Sequence, residues 1–465
     1  MDLLSIERGS VVAPAGCGKT ELIATALLRH ARPLPILVLT HTHAGVAALR
    51  RRLERSGVSR RAYRLSTIDG WAMRLISTFP ARSGHDPAIV EAARPDYAEA
   101  RRAAAGLLAA GHVDDVIRAS YDRLIVDEYQ DCSCLQHATV AGIAALVPTA
   151  VLGDPMQAIF NFGKIDCMAD WVGDVLATFP VAETLDTPWR WINAGAHDLG
   201  AWLLEVRATL ETGGRVDVRN GPNVTWVRLD GSGSDHPSQL RACLTKSPVA
   251  GGNVLIIGES TNPASQRAFA SQTPGAVTVE AVDLQDLVMF SQRLDLSAPN
   301  ALEVIVDFAE SVMNNVGGKD FVRRVQVLRG GRARKEASDA ESAAMAFEDD
   351  RCHGRVLALL SEINGQSGVR VYRPAVHRAC MQALRQCTDA DGFRAACVRM
   401  REEHRQLGRD LPNRAVGSTL LLKGLEADVA VILSADKMDA RHLYVAMTRG
   451  ARKLVICSRV PTLGF

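Results

Sequence analysis

Ser10-Val11-Val12-Ala13-Pro14-Ala15-Gly16-Cys17-Gly18-Lys19-Thr20-Glu21-Leu22-Ile23 reads as a short apolar strand, a glycine-containing turn and the start of a helix that runs to about Arg29. Glycine permits backbone conformations closed to other residues, and the first turn of a helix presents N–H groups without intrahelical partners. Together they make a cradle for anions. Ala13, Pro14, Ala15, Gly16, Cys17, Gly18, Lys19 and Thr20 thus form a Walker A phosphate loop with alanine in the first glycine position. Lys19 is placed to reach the β- and γ-phosphates of ATP, and the Thr20 hydroxyl to bind Mg2+. A chance Gly-Lys-Thr turn would not need the strand before it or the helix after it.

Outward from this loop, short apolar runs alternate with helix-like stretches. Ile36-Leu37-Val38-Leu39-Thr40, Leu124-Ile125-Val126 and Ala150-Val151-Leu152 read as buried strands. Continuous apolar strands separated by helices imply a mostly parallel sheet covered on both faces, with ligands at the carboxyl ends of its strands. The strand at 124–126 runs into Asp127-Glu128. Two carboxylates delivered there fit a Walker B element: Asp127 holds the metal, and Glu128 orients and deprotonates the attacking water. A second α/β pattern covers about 180–290, with strands near Val224-Thr225-Trp226 and Val254-Leu255-Ile256-Ile257. A helical stretch with one exposed basic loop, Arg329 to Lys335, separates it from further strands at Ala415–Leu422, Val429–Leu433 and Leu454–Ile456. The simplest topology is a second α/β lobe interrupted by a helical insertion.

The 465 residues carry 54 Lys+Arg against 52 Asp+Glu. That length predicts about two to four domains. A hydrophobic content of 47% with 23% charged residues excludes intrinsic disorder, a collagen-like repeat and a disulfide miniprotein. Met1 to Val12 lacks a signal-peptide core, and no apolar run is long enough for a membrane helix. The ten cysteines are scattered without a CxxC pair, so neither a zinc site nor a disulfide framework is supported. These features predict a reduced, cytoplasmic protein without membrane association. A pI near 8.1 leaves any nucleic acid to a local basic groove rather than to net charge. Basic residues are overwhelmingly arginine, with only eight lysines; Lys19 and Lys423 stand at motif positions.

Asp127-Glu128-Tyr129-Gln130-Asp131 resembles the Asp-Glu-aromatic-Gln-Asp motif of the UvrD/PcrA/Rep family of superfamily 1 helicases. Further stations follow in order. Val151-Leu152-Gly153-Asp154-Pro155-Met156-Gln157-Ala158-Ile159-Phe160 is similar to motif III, whose Gln senses the γ-phosphate. Leu185-Asp186-Thr187-Pro188-Trp189-Arg190 resembles motif IV, where an aromatic stacks on adenine and an Arg contacts phosphate. Lys423-Gly424-Leu425-Glu426 resembles motif V, whose Glu binds ribose, and Leu443-Tyr444-Val445-Ala446-Met447-Thr448-Arg449 resembles motif VI, which supplies an arginine finger.

The resemblance implies an α/β fold of two RecA-like parallel-sheet motor lobes, with a small insertion in the first and a helical insertion in the second. On this sequence the first lobe is 1–185 (insertion about 77–120), the second 186–290 and 413–465, and the helical insertion 291–412. It implies Lys19, Glu128, Gln157, Arg190 and Arg449 as catalytic residues, and Trp189 and Glu426 as further nucleotide contacts. For single-stranded DNA, Phe160 and Phe162 fall where the family stacks bases, although core phenylalanines at strand-like spacing read the same way. Thr40-His41-Thr42-His43 resembles motif Ia, and His41 is either a further stacking residue or part of a polar loop. Thr67-Ile68-Asp69-Gly70-Trp71 sits where the family has a Thr-Phe-His-like motif, yet Asp69 would repel phosphate.

Only twelve residues precede the phosphate loop, so the family's upstream glutamine motif, which reads adenine, has no counterpart. Both insertions are small, which reduces the surface available to grip a duplex. The resemblance implies a DNA-stimulated ATPase moving 3′ to 5′ on single-stranded or partly duplex DNA. The alternative is an ATP- and DNA-binding sensor subunit that gates a nuclease partner protein. Such compact chains resemble the helicase-like components of anti-phage systems such as Gabija.

Overall fold

The computed structural model describes residues 1–464 apart from 92–94, 161–165, 282, 388–389 and 407–411. By internal contacts the chain divides into two units, Met1–Arg228 with Ala435–Phe465, and Leu229–Ser434.

The first unit is built on six strands: β1 (Arg8–Val12), β2 (Ile36–Thr40), β3 (Tyr63–Thr67), β4 (Arg123–Val126), β5 (Thr149–Gly153) and β6 (Val181–Thr184). Their order is β3-β2-β4-β5-β1-β6, every pair parallel. The apolar runs are continuous because the sheet has a core on each face. Leu37, Leu39, Leu124, Val126 and Val151 enter one core with Trp71, Leu107 and Ile143. Ile36, Val38, Ile125, Ala150 and Leu152 enter the other with Ile23 and Leu27 of the helix after the phosphate loop. Adjacent residues point to opposite faces of a strand, so every position is buried. Two strands lie outside the sequence reading. β3 mixes Tyr63 and Leu65 with Arg64, Ser66 and Thr67, and β6 is a fully exposed edge strand.

The ends of β1, β4 and β5 lie side by side, which brings the phosphate loop, Asp127-Glu128 and Asp154 to one edge of the sheet. Between β3 and β4 runs a small helical insertion that includes Tyr97–Ala109. Arg101 from this helix makes two hydrogen bonds of 2.7 Å to Asp69 and one of 2.8 Å to Asp166. Gln136 donates to the same Asp69 carboxylate at 2.8 Å. Asp69 is therefore the acidic half of a buried clamp. The first unit also contains the parallel pair Val224–Arg228 and Gly450–Ser458.

In the second unit the strands Val277–Thr278, Arg414–Ser418, Val254–Gly258 and Ala427–Ile432 lie in that order, all parallel. The two-residue strand at 277–278 is too short to register as an apolar run. Among the described residues, seven helices between Gln285 and Gln406 pack around their own core, with Ile305, Phe347, Leu360 and Val376 fully buried. Arg373 ties this helical part to the sheet: its guanidinium reaches both Glu280 oxygens at 2.7 and 2.9 Å and Asp286 at 2.5 Å. The architecture is α/β with two sets of parallel strands and a helical insertion in the second, in keeping with RecA-like lobes. Among the described residues no helix is long and apolar enough to cross a membrane.

One covalent link departs from the sequence reading, which supported no disulfide. Cys134 and Cys167 form a disulfide, their Cα atoms 5.7 Å apart across a sequence separation of 33. Spacing in the sequence gives no sign of it; the fold brings the two together. The Cys134 N–H donates to the Cys167 carbonyl at 2.8 Å, and the Ala169 N–H to the Cys132 carbonyl at 3.0 Å. The bond pins the segment after β5 to the start of the Cys134–Ala144 helix. Closing a loop of this length should stabilise the fold by about 3–4 kcal/mol in the chain-entropy model. Urea unfolding of the first unit should show a lower midpoint after reduction by a dithiol. Cys134→Ser should share that lower midpoint and lose its sensitivity to dithiol. Identical midpoints before and after reduction would mean that the link does not form in solution.

Candidate functional site

The phosphate loop leaves β1 at Ala13, whose N–H still donates to the Gly153 carbonyl of neighbouring β5 at 2.8 Å. Gly16 (φ 73°) and Gly18 (φ 90°) then take left-handed conformations. Gly16 is also required by space: a Cβ there would lie 2.6 Å from the Trp191 ring and 2.9 Å from the Arg190 Cβ. The helix Lys19–Arg29 starts directly on Gly18 and has no side-chain cap. Its first-turn N–H groups therefore face the loop concavity with their partial positive charge. The Ala15 N–H is held by the Tyr444 hydroxyl at 3.1 Å. Cys17 is buried, and burial followed by the charge of Asp154 pushes its thiol up to about 12. The thiol is a packing group here.

Lys19 is largely buried, its side chain 11% exposed, and pairs with Glu128 at 3.0 Å. Burial pulls the ammonium toward neutrality, but Glu128, Asp127 and Asp154 outweigh it and hold the group above its ordinary pKa. Asp127 is raised to about 6, by burial first and then by Glu128, with Lys19 opposing. Glu128 has φ 55°, a left-handed conformation that costs a non-glycine residue about 1–2 kcal/mol. Strain of that kind beside a buried acid is a mark of a working site.

From Glu128 a chain of hydrogen bonds continues across the sheet edge. Gln130 Nε2 donates to Glu128 Oε2 at 2.6 Å, and Gln130 Oε1 accepts from the Asp154 N–H at 3.0 Å. Asp154 Oδ2 accepts from Gln157 Nε2 at 3.0 Å. Asp154 Oδ1 accepts from Arg207 Nε and Nη2 at 3.0 and 2.9 Å. Lys19, Glu128, Gln130, Asp154 and Gln157 are thus one connected network.

The segment Trp189–Asn193 packs against the phosphate loop. The Arg190 N–H donates to the Gly16 carbonyl at 3.1 Å, and Arg190 Nη1 donates to the Thr448 carbonyl at 2.7 Å. Trp189 is half exposed, with its ring 3.2 Å from where a Cβ on Gly18 would lie. Trp191 is buried and its indole N–H donates to the Gly450 carbonyl at 3.0 Å. Arg449 is buried; its Nε donates to the Val445 carbonyl at 2.9 Å and its Nη2 to Thr448 Oγ1 at 3.0 Å. Glu426 belongs to the other unit, where it is exposed just before Ala427–Ile432.

At the end of β2, His41 meets Phe160, their ring centroids 5.1 Å apart at 53°. Phe162 lies outside the described residues. Several residues that build the site have no role assigned from the sequence. Gln130, Asp154 and Tyr444 sit inside motif stretches but carry no assigned role, and Arg207 sits in no motif.

The site suits a nucleotide polyphosphate: a glycine turn with two left-handed residues, an uncapped helix start and a buried lysine converge on one concavity. Among the described residues no cluster of three or more His, Cys, Asp or Glu forms a protein cage for a metal. Thr20 and Asp127 suit Mg2+, which takes few protein ligands and completes its shell with phosphate and water.

Residues 96–168 match the family model of the UvrD/REP helicase N-terminal domain. That segment includes Asp127 to Asp131 and Asp154 to Phe160, two of the stretches that carry the motif resemblance. Among solved structures, the arterivirus nonstructural protein 10, a helicase determined in complex with DNA, is similar at 10% identity and a TM-score of 0.35, over 97% of this chain and 60% of that one. This chain thus spans less than two thirds of that protein's length. No curated protein matches.

The loop geometry makes a prediction for its first glycine. Gly16→Ala adds left-handed strain worth about 1–2 kcal/mol and drives a methyl into Trp191 and Arg190. A fluorescent ATP analogue titrated against the variant should show binding lost. Gly57 has nearly the same φ, 74°, with nothing within 4 Å of a Cβ. Gly57→Ala should therefore keep nucleotide affinity. Equal affinity in both variants would contradict the packing of the loop on Trp191.

Proposed function

We propose that the chain is an ATP-driven DNA translocase and helicase, whose ATP hydrolysis is stimulated by single-stranded DNA and whose movement runs 3′ to 5′. The observation that carries this reading is the network from Lys19 through Glu128, Gln130 and Asp154 to Gln157, set at one sheet edge beneath an uncapped helix start. It joins a phosphate-binding lysine, a water-activating carboxylate and a γ-phosphate sensor, the three things phosphoryl transfer asks of a protein.

In this reading the loop backbone and Lys19 bind the phosphates, while Trp189 offers its half-exposed ring to the base. Magnesium, held by Thr20 and Asp127, offsets phosphate charge when bound. Lys19 exchanges one anionic partner for another as phosphate arrives, and Glu128 is then available to take a proton from water. Gln157 orients that water, and Arg190 and Arg449 supply positive charge to the transferring group. Glu426, in the second unit, is the residue that the motif resemblance assigns to the ribose. The chain divides functionally as a first lobe 1–185, a second lobe 186–290 with 413–465, and the insertion 291–412.

The paired rings of His41 and Phe160 support the nucleic-acid part. Aromatics beside a nucleotide site stack successive bases without regard to sequence. A sensor subunit gating a nuclease is the second reading, with an exposed apolar docking face as its mark. Among the described residues from Gln285 to Gln406, Met289 is the one exposed large apolar side chain, a single residue and not a face. The motor reading is therefore kept.

Two experiments test it. Glu128→Gln should retain ATP affinity and lose turnover by about 10²–10⁴, the range for a general base; normal hydrolysis in that variant would remove Glu128 from the chemistry. Streptavidin displacement from biotinylated oligonucleotides tests movement. Displacement from the 5′ end alone, abolished in Phe160→Ala, is the expected result. DNA-stimulated hydrolysis without displacement at either end would leave the sensor reading standing instead.

A further inference from the structure

Arg207 lies in the helix His197–Glu211, outside every motif, and its side chain is largely buried. Its guanidinium is fully engaged on one side. Nε and Nη2 grip Asp154 Oδ1 at 3.0 and 2.9 Å, while Nη1 and Nη2 reach the two Glu211 oxygens at 2.8 and 3.3 Å. Asp154 has no exposed surface and spends its other oxygen on Gln157 Nε2. It also accepts the Met156 N–H at 3.2 Å, and its carbonyl accepts the Gln157 N–H at 2.8 Å.

A buried carboxylate is costly without a charged partner, and Asp154 can aim the Gln157 amide firmly only if it is itself fixed. Arg207 supplies both requirements: a charge, and a two-point planar grip that a lysine ammonium would not reproduce. We propose that Arg207 is a positioning residue for ATP hydrolysis, acting through Asp154 to set the side-chain amide of Gln157. The inference rests on the ATPase reading above.

The test is a double-mutant cycle on the full chain. Arg207→Met should lower kcat by about 10- to 100-fold, the cost of slightly misplacing a reacting group. KM for ATP should stay within about three-fold, because binding contacts are untouched. Arg207→Lys should fall between, since it keeps a charge opposite Asp154 but loses the planar grip. In a Gln157→Ala background neither change should lower kcat further; a purely structural arginine would add its full effect. Amide hydrogen exchange on the nucleotide-free protein gives a second readout. Exchange at Met156 and Gln157 should quicken in Arg207→Lys while β5 stays protected.

If Arg207→Met does not fold, Arg207→Lys and the exchange measurement decide. A folded Arg207→Lys variant with wild-type kcat and unchanged exchange would overturn the proposal. An equal loss in the Gln157→Ala background would do the same. Full turnover by Gln157→Ala alone would sink the sensor role and this inference with it, leaving the ATPase reading intact. A wild-type chain that hydrolyses no ATP would sink the ATPase reading itself.

Discussion

The ion pair between Lys19 and Glu128 is the interaction on which the site depends. Parallel strands β1, β4 and β5 end together: β4 leads into Asp127 and Glu128, β5 into Asp154, and the loop after β1 into Lys19. Three carboxylates, those of Asp127, Glu128 and Asp154, act on a single buried ammonium. Without it the acids would repel one another with little water to screen them. Asp127 is still raised to about 6, by burial first and by Glu128 second. Adjacent carboxylates beside a phosphate loop are well matched to a divalent cation, and a lysine held by an acid is well matched to an incoming phosphate.

Much of this was legible in the sequence for one physical reason: strands buried on both faces leave unbroken apolar runs. β2, β4 and β5 announced themselves in that way, and the acids after β4 marked its end. β6 was missed because an edge strand has no buried face to write into its composition. β3 was missed because its polar residues break the run. Asp69 looked like a misplaced charge beside phosphate until Arg101 and Gln136 appeared around it. Arg207 could not be found from the sequence, since an arginine on a helix reads as surface until its buried partner is known. The two cysteines of the disulfide likewise meet only through tertiary structure.

The phosphate loop is also held by residues very distant in the chain. Tyr444 takes the Ala15 N–H, Thr448 takes the Arg190 guanidinium, and Gly450 takes the Trp191 indole. Residues 444–450 therefore set the shape of a loop near residue 16, through contacts whose closure entropy is met only once the unit has folded. The loop's glycines make the conformation permissible, and the distant residues make it the one adopted.

The buried thiol of Cys17 has a practical corollary. A thiol pushed up to about 12 and shielded from solvent has almost no thiolate at neutral pH, and thiolate is the species that attacks electrophiles. Among the cysteines outside the disulfide, only Cys352 and Cys387 are partly accessible, and both lie in the helical part of the second unit. Maleimide dyes will therefore label the insertion before they touch the nucleotide loop. The native chain can carry a fluorescent reporter on its insertion with no cysteine engineered in and none removed.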